Sequence, residues 1–365
     1  MKTQNVAIIG TVGVPANYGG FETLAENLVR FHDGCALKNS LTVYCSSKSY
    51  PSLESSYLTA KLRYIPLNAN GAQSIFYDVW SLFSAIRHRS DVILLLGVSG
   101  AIVLPLIRLF SSARIVTNID GIEWRREKWQ GLAKHFLRWS EKLAVRNSQE
   151  VIADNAAIAT YIKKAYGADC NVIAYGGDHA VNAATQSIAD YDLPANYAFS
   201  VCRIEPENNV HMVLEAFAQQ TSLALVMVGN WANSEYGRGL LEQYADVAHL
   251  HLLGSIYELG KLKSLRAGAV LYVHGHSAGG TNPSLVEAMH FALPVLAYDC
   301  DFNRATTEEK ALYFSDAKEL VKLINFDEGT RKRCSSEMLE IAQRRYTWEV
   351  VARQYFGLLL KDQSS

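Results

Sequence analysis

Short, wholly apolar runs recur along the chain, separated by helix-length stretches whose apolar positions fall three and four residues apart. VAIIG, LTVYC, VILLLG, ARIVTNID, EVIAD and NVIAY fall in the first half, and YAFSVC, LALVMVG, HLHLLG, AVLYVHG and LPVLAYD in the second. Strands covered by helices on both faces are apolar throughout instead of alternating, so the pattern predicts β-α-β units and two doubly wound sheets. Periodicity lapses over GGDHAVNAATQSIADYDLPANY, residues 176–197, where Gly, Asn, Asp and Pro gather. The reading is therefore a first domain over residues 1–179 and a second over 180–346, with YTWEVVARQY opening an amphipathic helix that occupies 347–365 behind Thr347 as N-cap. Ligands of such sheets bind beyond the carboxyl ends of the strands, so two facing domains make a cleft and the loops ending their strands carry the chemistry.

One segment competes for a membrane reading. VILLLGVSGAIVLPLIRLF, residues 92–110, approaches the roughly 20 apolar residues that a spanning helix needs. Gly97, Gly100, Pro105 and Arg108 interrupt it, and a buried strand, a glycine turn and an apolar helix account for the same letters.

Composition changes this picture in two places. A length of 365 residues with 49% hydrophobic content suits two domains of common size. The net charge of -1 hides an asymmetry: 19 Lys and Arg stand against 14 Asp and Glu up to residue 180, and 16 against 22 after it. A basic first half can face an anionic membrane surface or a phosphate, and no nucleic-acid partner is expected. The six cysteines are scattered without a C-x-x-C spacing, and MKTQNVAIIGTVG reads as a first buried strand, not a signal peptide. A cytoplasmic location is expected.

Four loops hold candidate chemistry. GTVGVPANYGGFETLAENLV, residues 10–29, does not spell G-x-G-x-x-G, and the second strand ends in Cys45, Ser46 and Ser47 without an acid, which disfavours NAD; Lys48 leaves NADP open. Its Gly19 and Gly20 either bring backbone N–H groups to a phosphate at a helix start or serve a tight turn. In NIDGIEWRREKW, Asp120 and Glu123 stand where a strand ends, with Arg125, Arg126 and Lys128 close by. A carboxylate there either accepts a proton from a sugar hydroxyl or caps a helix, while the cations can hold phosphate. The next helix carries Lys134, Arg138, Lys142 and Arg146 beside Phe136, Trp139 and Leu143, either an interfacial membrane helix or a solvated face.

In the third loop, VCRIEPENNV, Arg203 at a strand end either clamps a diphosphate or forms a surface ion pair. The fourth, GGTNPSLVEAM, puts Thr281, Asn282, Pro283 and Ser284 at a helix start between apolar strands, with Glu287 one turn inside. Unpaired N–H groups and the positive dipole end form an anion cradle there, and Glu287 can accept hydrogen bonds from two vicinal ribose hydroxyls. No Asp-x-Asp stands in a convincing metal-binding loop: Asp190 and Asp192 lie in the expected linker, and Asp299 and Asp301 read as caps.

The loops at Gly19 and Gly20, Arg203 and GGTNPSLVEAM, the segment HLLGSIYELGKLKSLRAGAVLYVHG and the late YTWEVVARQY helix together resemble the GT-B glycosyltransferases of glycosyltransferase family 4. Within that family, PANYGGFET, NIDGIEWRREKW, RIEPENN and GGTNPSLVEAM are similar to bacterial rhamnosyltransferases of O-antigen and capsule assembly. The resemblance implies two Rossmann-like domains facing across a cleft, with the last helix returning to the first domain. It implies a retaining transfer of rhamnose from dTDP-L-rhamnose to a sugar on a polyprenyl diphosphate, with peripheral contact at the inner membrane surface. Gly19, Gly20, Arg203, Tyr257, Thr281, Asn282, Pro283, Ser284 and Glu287 would hold the donor, and Asp120, Glu123, Arg125 and Arg126 the acceptor. Asp120, Arg203 and Glu287 would carry catalysis without a metal or other cofactor, the leaving diphosphate helping to take the acceptor proton.

The chain departs from the family at three points. The first of two glutamates separated by seven residues falls on Gly279, a lysine after the strand-end Arg is replaced by Asn208 or Asn209, and Asp120 stands where many members have His. A nucleotide-sugar 2-epimerase of the same fold, a non-catalytic nucleotide-sugar-binding subunit and, more distantly, a dehydrogenase are the rival readings.

Overall fold

In the computed structural model, which describes residues 4–16, 19–119, 121, 122, 124 and 131–361, the apolar runs become the strands of two sheets. The chain divides into two compact units, Met1–Ala174 with Trp348–Ser365, and Tyr175–Thr347.

The first unit alternates β1 (Asn5–Ile9), α1 (Gly20–Gly34), β2 (Ser40–Ser46), β3 (Ser56–Tyr57), β4 (Ala60–Ile65), α2 (Ser74–Arg87), β5 (Val92–Leu96), α3 (Leu104–Phe110), β6 (Arg114–Ile119), α4 (Gly131–Asn147), β7 (Glu150–Ala153), α5 (Ala156–Tyr166) and β8 (Asn171–Val172). The sheet runs β3-β4-β2-β1-β5-β6-β7-β8, parallel except where β3 meets β4. On one face, Tyr77, Leu82 and Ala85 of α2, Leu104 and Ile107 of α3 and Ala144 of α4 pack on Ala7, Ile9, Ile93, Leu95 and Ile115. The last helix, Trp348–Leu359, is tied to this unit: Phe356 stacks on Phe31 of α1 at 5.8 Å, and Arg114 Nη1 donates to Leu358 O at 2.6 Å. Residues 92–110 form β5, a short turn and α3; among the described residues no helix is long and apolar enough to cross a membrane.

The second unit contains α6 (His179–Asn182), β9 (Tyr197–Val201), α7 (Val210–Gln219), β10 (Ala224–Val228), α8 (Glu235–Gln243), β11 (Leu250–Leu253), α9 (Leu259–Ala267), β12 (Leu271–His274), α10 (Pro283–His290), β13 (Val295–Tyr298), α11 (Asp301–Thr306), β14 (Leu312–Phe314), α12 (Ala317–Ile324) and α13 (Glu328–Arg345). Its sheet runs β11-β10-β9-β12-β13-β14 and is parallel throughout. Segment 175–179 packs within this unit: Gly177 N–H donates to Tyr346 O at 2.7 Å, and a Cβ on Gly177 would stand 2.8 Å from Glu287 N, so only glycine admits the approach to α10.

Candidate active site

Each sheet has a topological switch point, where successive connections leave in opposite directions and open a crevice at the carboxyl ends. In the second unit it lies between β9 and β12, which pair in parallel while β10 and β11 extend one way and β13 and β14 the other. The Arg203 loop and the loop entering α10 leave these two strands, and they are laced together. Ser277 donates from its N–H (3.0 Å) and its hydroxyl (2.8 Å) to Glu207 O, and Asn209 Nδ2 donates to Gly275 O at 2.9 Å. A Cβ on Gly275 would overlap Asn208 O, so this crossing requires glycine.

Asn282 caps α10, and the first turn is more closed than the sequence suggests. Pro283 has no amide hydrogen, Ser284 N–H donates to Asn282 Oδ1 at 3.1 Å, and Leu285 N–H donates to Asn282 O at 3.1 Å. Ser284 Oγ also donates to Asn282 Oδ1 at 2.8 Å and accepts from the Tyr272 hydroxyl at 3.0 Å. The expected open N–H groups at 283 and 284 are thus corrected: one is missing and the other is capped. Asn282 and Ser284 shape the helix start, Thr281 is buried beside them, and the helix dipole remains as the term favouring an anion.

Glu287, one turn further, is held from two sides. Arg266 of α9, 2% exposed, contacts Glu287 Oε2, and His179 Nε2 stands 3.3 Å from Oε1. Burial opposes ionisation of Glu287, but Arg266 and then His179 outweigh it and hold the carboxyl below its usual range. Arg266 lies over the Phe199 ring at 5.9 Å, and its Nε has no hydrogen-bond partner among the described residues. Neither Arg266 nor His179 was singled out by the sequence, where one is among several cations of the α9 segment LGKLKSLRA and the other lies in the expected linker. At the end of β12, His274 stacks on His276 at 4.3 Å; burial and then His276 drive its pKa well below the usual 6.5, so it is a neutral ring.

The remaining donor candidates are less enclosed. Arg203 is 42% exposed with Glu205 Oε1 3.5 Å away, a solvent-facing pair available to a ligand. Tyr257 is exposed in the loop after β11, the outermost strand of its sheet. Gly279 has a φ of +129°, a backbone state that disfavours any side chain although a Cβ there would meet open space. Asp299, read as a cap, is paired with Arg304 at 2.6 Å.

In the first unit the switch point lies between β1 and β5, and residues 10–16 leave it. Gly19 has a φ of +126°, and a Cβ there would overlap the Glu22 carboxylate. Glu22 Oε1 accepts from Val12 N–H at 2.8 Å and from Thr11 Oγ1 at 3.2 Å. Glycine at 19 thus serves a loop closed by its own carboxylate, and that acid, in the first turn of the helix begun by Gly20, opposes a phosphate there. Asp120, Glu123, Arg125 and Arg126 lie outside the described residues. Among the described residues no group of three or more His, Cys, Asp and Glu converges as metal ligands.

The comparisons agree with this architecture. Residues 186–334 match the family described as "Glycosyl transferases group 1", and residues 3–178 match "Domain of unknown function (DUF1972)". Sucrose-phosphate synthase from Thermosynechococcus elongatus shares 18% identity over 97% of this chain and 98% of its own, with a TM-score of 0.80. Anabaena HepE, solved in complex with UDP, shares 18% over 99% and 100% with a TM-score of 0.70. The trehalose-6-phosphate synthase OtsA shares 9% over 99% of each chain with a TM-score of 0.74. No curated protein sequence matches the chain. The fold is GT-B, with two Rossmann-like α/β domains. The second unit carries a glycosyltransferase group 1 domain, which supports transfer from a nucleotide sugar.

Proposed function

We propose that the protein is a retaining glycosyltransferase that moves rhamnose from dTDP-L-rhamnose to a sugar on a polyprenyl diphosphate, on the cytoplasmic side of the membrane, in O-antigen or capsule assembly. The observation that carries the reading is the β9/β12 switch point of a group 1 domain, where the Arg203 loop is laced to the loop entering α10 above Glu287. The choice of rhamnose and of a lipid-linked acceptor is supported by the resemblance of the four loops.

The chemistry follows from charge. Arg203 and the positive end of α10 offset the diphosphate as it leaves, and the sugar is transferred with retention while the diphosphate helps to take the acceptor proton. Glu287 grips the ribose: a carboxylate offers about four lone-pair sites, so one contact each from Arg266 and His179 leaves room for two hydroxyls. In the first unit Asp120 is the acceptor base, with Glu123, Arg125 and Arg126 around the acceptor. Because cationic and dipolar groups already face the diphosphate, turnover needs no metal. Full activity after EDTA treatment is expected; loss restored by Mg²⁺ contradicts it.

A donor panel incubated with a synthetic lipid diphosphate sugar and read by mass spectrometry tests the assignment. Rhamnosyl product with dTDP-L-rhamnose is expected; faster transfer from another donor overturns the sugar, and acceptor-free isomerisation of a donor identifies an epimerase. Asp120→Asn is expected to lower turnover while leaving dTDP affinity near normal in calorimetry.

A further inference from the structure

Among the described residues thirteen large apolar side chains are exposed, and eight of them lie on α2, α3 and α4 of the first unit, each 43–90% exposed. These helices share one layer, because their inward residues pack on one face of the sheet; their outward residues therefore line one side of the unit. Along α2, Phe76, Trp80 and Phe83 are spaced i, i+4, i+7 and make an exposed aromatic stripe. On α3, Leu109 and Phe110 project, and on α4 Leu132 and Trp139 do so.

The charges on this layer are sorted. Among the described residues of the three helices the only carboxylates, Asp78 and Glu141, are buried; Glu141 accepts from the Tyr161 and Tyr166 hydroxyls at 2.7 and 2.5 Å. Arg87, Lys134, Arg138, Lys142 and Arg146 are exposed. A face that is merely solvated mixes both signs and carries few large apolar groups. One that combines aromatic side chains with cations and excludes acids matches the headgroup region of a bilayer, where amphipathic rings settle and Lys and Arg meet lipid phosphates.

We propose that the outer side of α2, α3 and α4 docks the first unit onto an anionic lipid bilayer, lying in the interface without spanning it. The proposal rests on this surface and not on the glycosyltransferase reading. The test is flotation of the full-length protein with vesicles of equal parts phosphatidylglycerol and phosphatidylcholine, against pure phosphatidylcholine. Flotation with the anionic vesicles alone, reversed by high salt, is expected. Lys142→Ala with Arg146→Ala is expected to weaken partitioning roughly thirtyfold, from about 1 kcal/mol per cation near an anionic surface. Phe76→Ser with Trp80→Ser and Phe83→Ser is expected to abolish flotation. All five side chains are exposed, so circular dichroism and dTDP binding should be unchanged; a variant that keeps dTDP binding and loses vesicles reports on this face alone. Wild-type protein that ignores both vesicle types, a triple serine variant that floats like wild type, or a dimer that the triple variant dissolves would each overturn the proposal. Vesicle binding in a protein that fails to bind dTDP would leave it standing and sink the dTDP-L-rhamnose reading.

Discussion

Glu287 shows how a single acid is kept ionised inside a packed unit. A buried carboxylate alone would rise in pKa and neutralise; here Arg266 and His179 keep it ionised, so it stays an acceptor at neutral pH. Because its folded pKa lies below the usual 4.5, this contribution to stability is complete above that value and is lost as pH falls through the lowered pKa. Arg266→Met strands the charge and should destabilise the second unit by roughly 3–5 kcal/mol, whereas Arg266→Met with Glu287→Leu should recover much of the loss. Urea denaturation of both variants checks this; equal stabilities would mean that the pair is not coupled. Asp78 has the opposite sign. Burial pushes it from 3.8 up to about 7, against hydrogen bonds from Ser99 and Gly100 N–H, so folding favours the protonated acid. Stability should fall as pH rises between those two values, by roughly 4 kcal/mol at most. Asp78→Asn should remove that slope from melts recorded across the range.

At the scale of elements, the strands were legible where both faces are covered. VILLL is buried at every position of β5, as a strand covered on both faces must be. β4 and β14 were not foreseen: Lys61 is exposed and Arg63 and Tyr64 are half-buried in β4, next to the short edge strand β3, and β14 has three residues. The loops were legible as polar interruptions between apolar strands, and the three that the structure describes fall at the two switch points. Which groups in them are occupied was not legible, because Arg266, His179 and Glu22 reach their partners through packing of other elements. Gly279→Glu is expected to lower turnover: at φ +129° a side chain is strained, by roughly 1–2 kcal/mol on the scale of left-handed residues. A gain in kcat would show that the loop adapts.

For the whole molecule, the first unit is discontinuous in sequence, and its sheet depends on a helix that follows the entire second unit. Asn118 Nδ2 donates to the Tyr355 hydroxyl at 2.5 Å, and Val351, Ala352, Tyr355 and Leu359 are buried. Ending the chain at Thr347 uncovers that face and removes the partners of Arg114 on the last helix. Melting followed by tryptophan fluorescence should show the first unit unfolding early in the truncated protein, while the contiguous second unit keeps its transition; a single unshifted transition would contradict this.

Hydrogen exchange of the full-length protein with and without dTDP tests, without any substitution, whether a nucleotide binds at the β9/β12 switch point of the second unit. Slowed exchange is expected in residues 203–209 and 275–290, the two loops laced across those strands together with α10. Binding of dTDP that leaves both segments unchanged, with protection elsewhere, would contradict it.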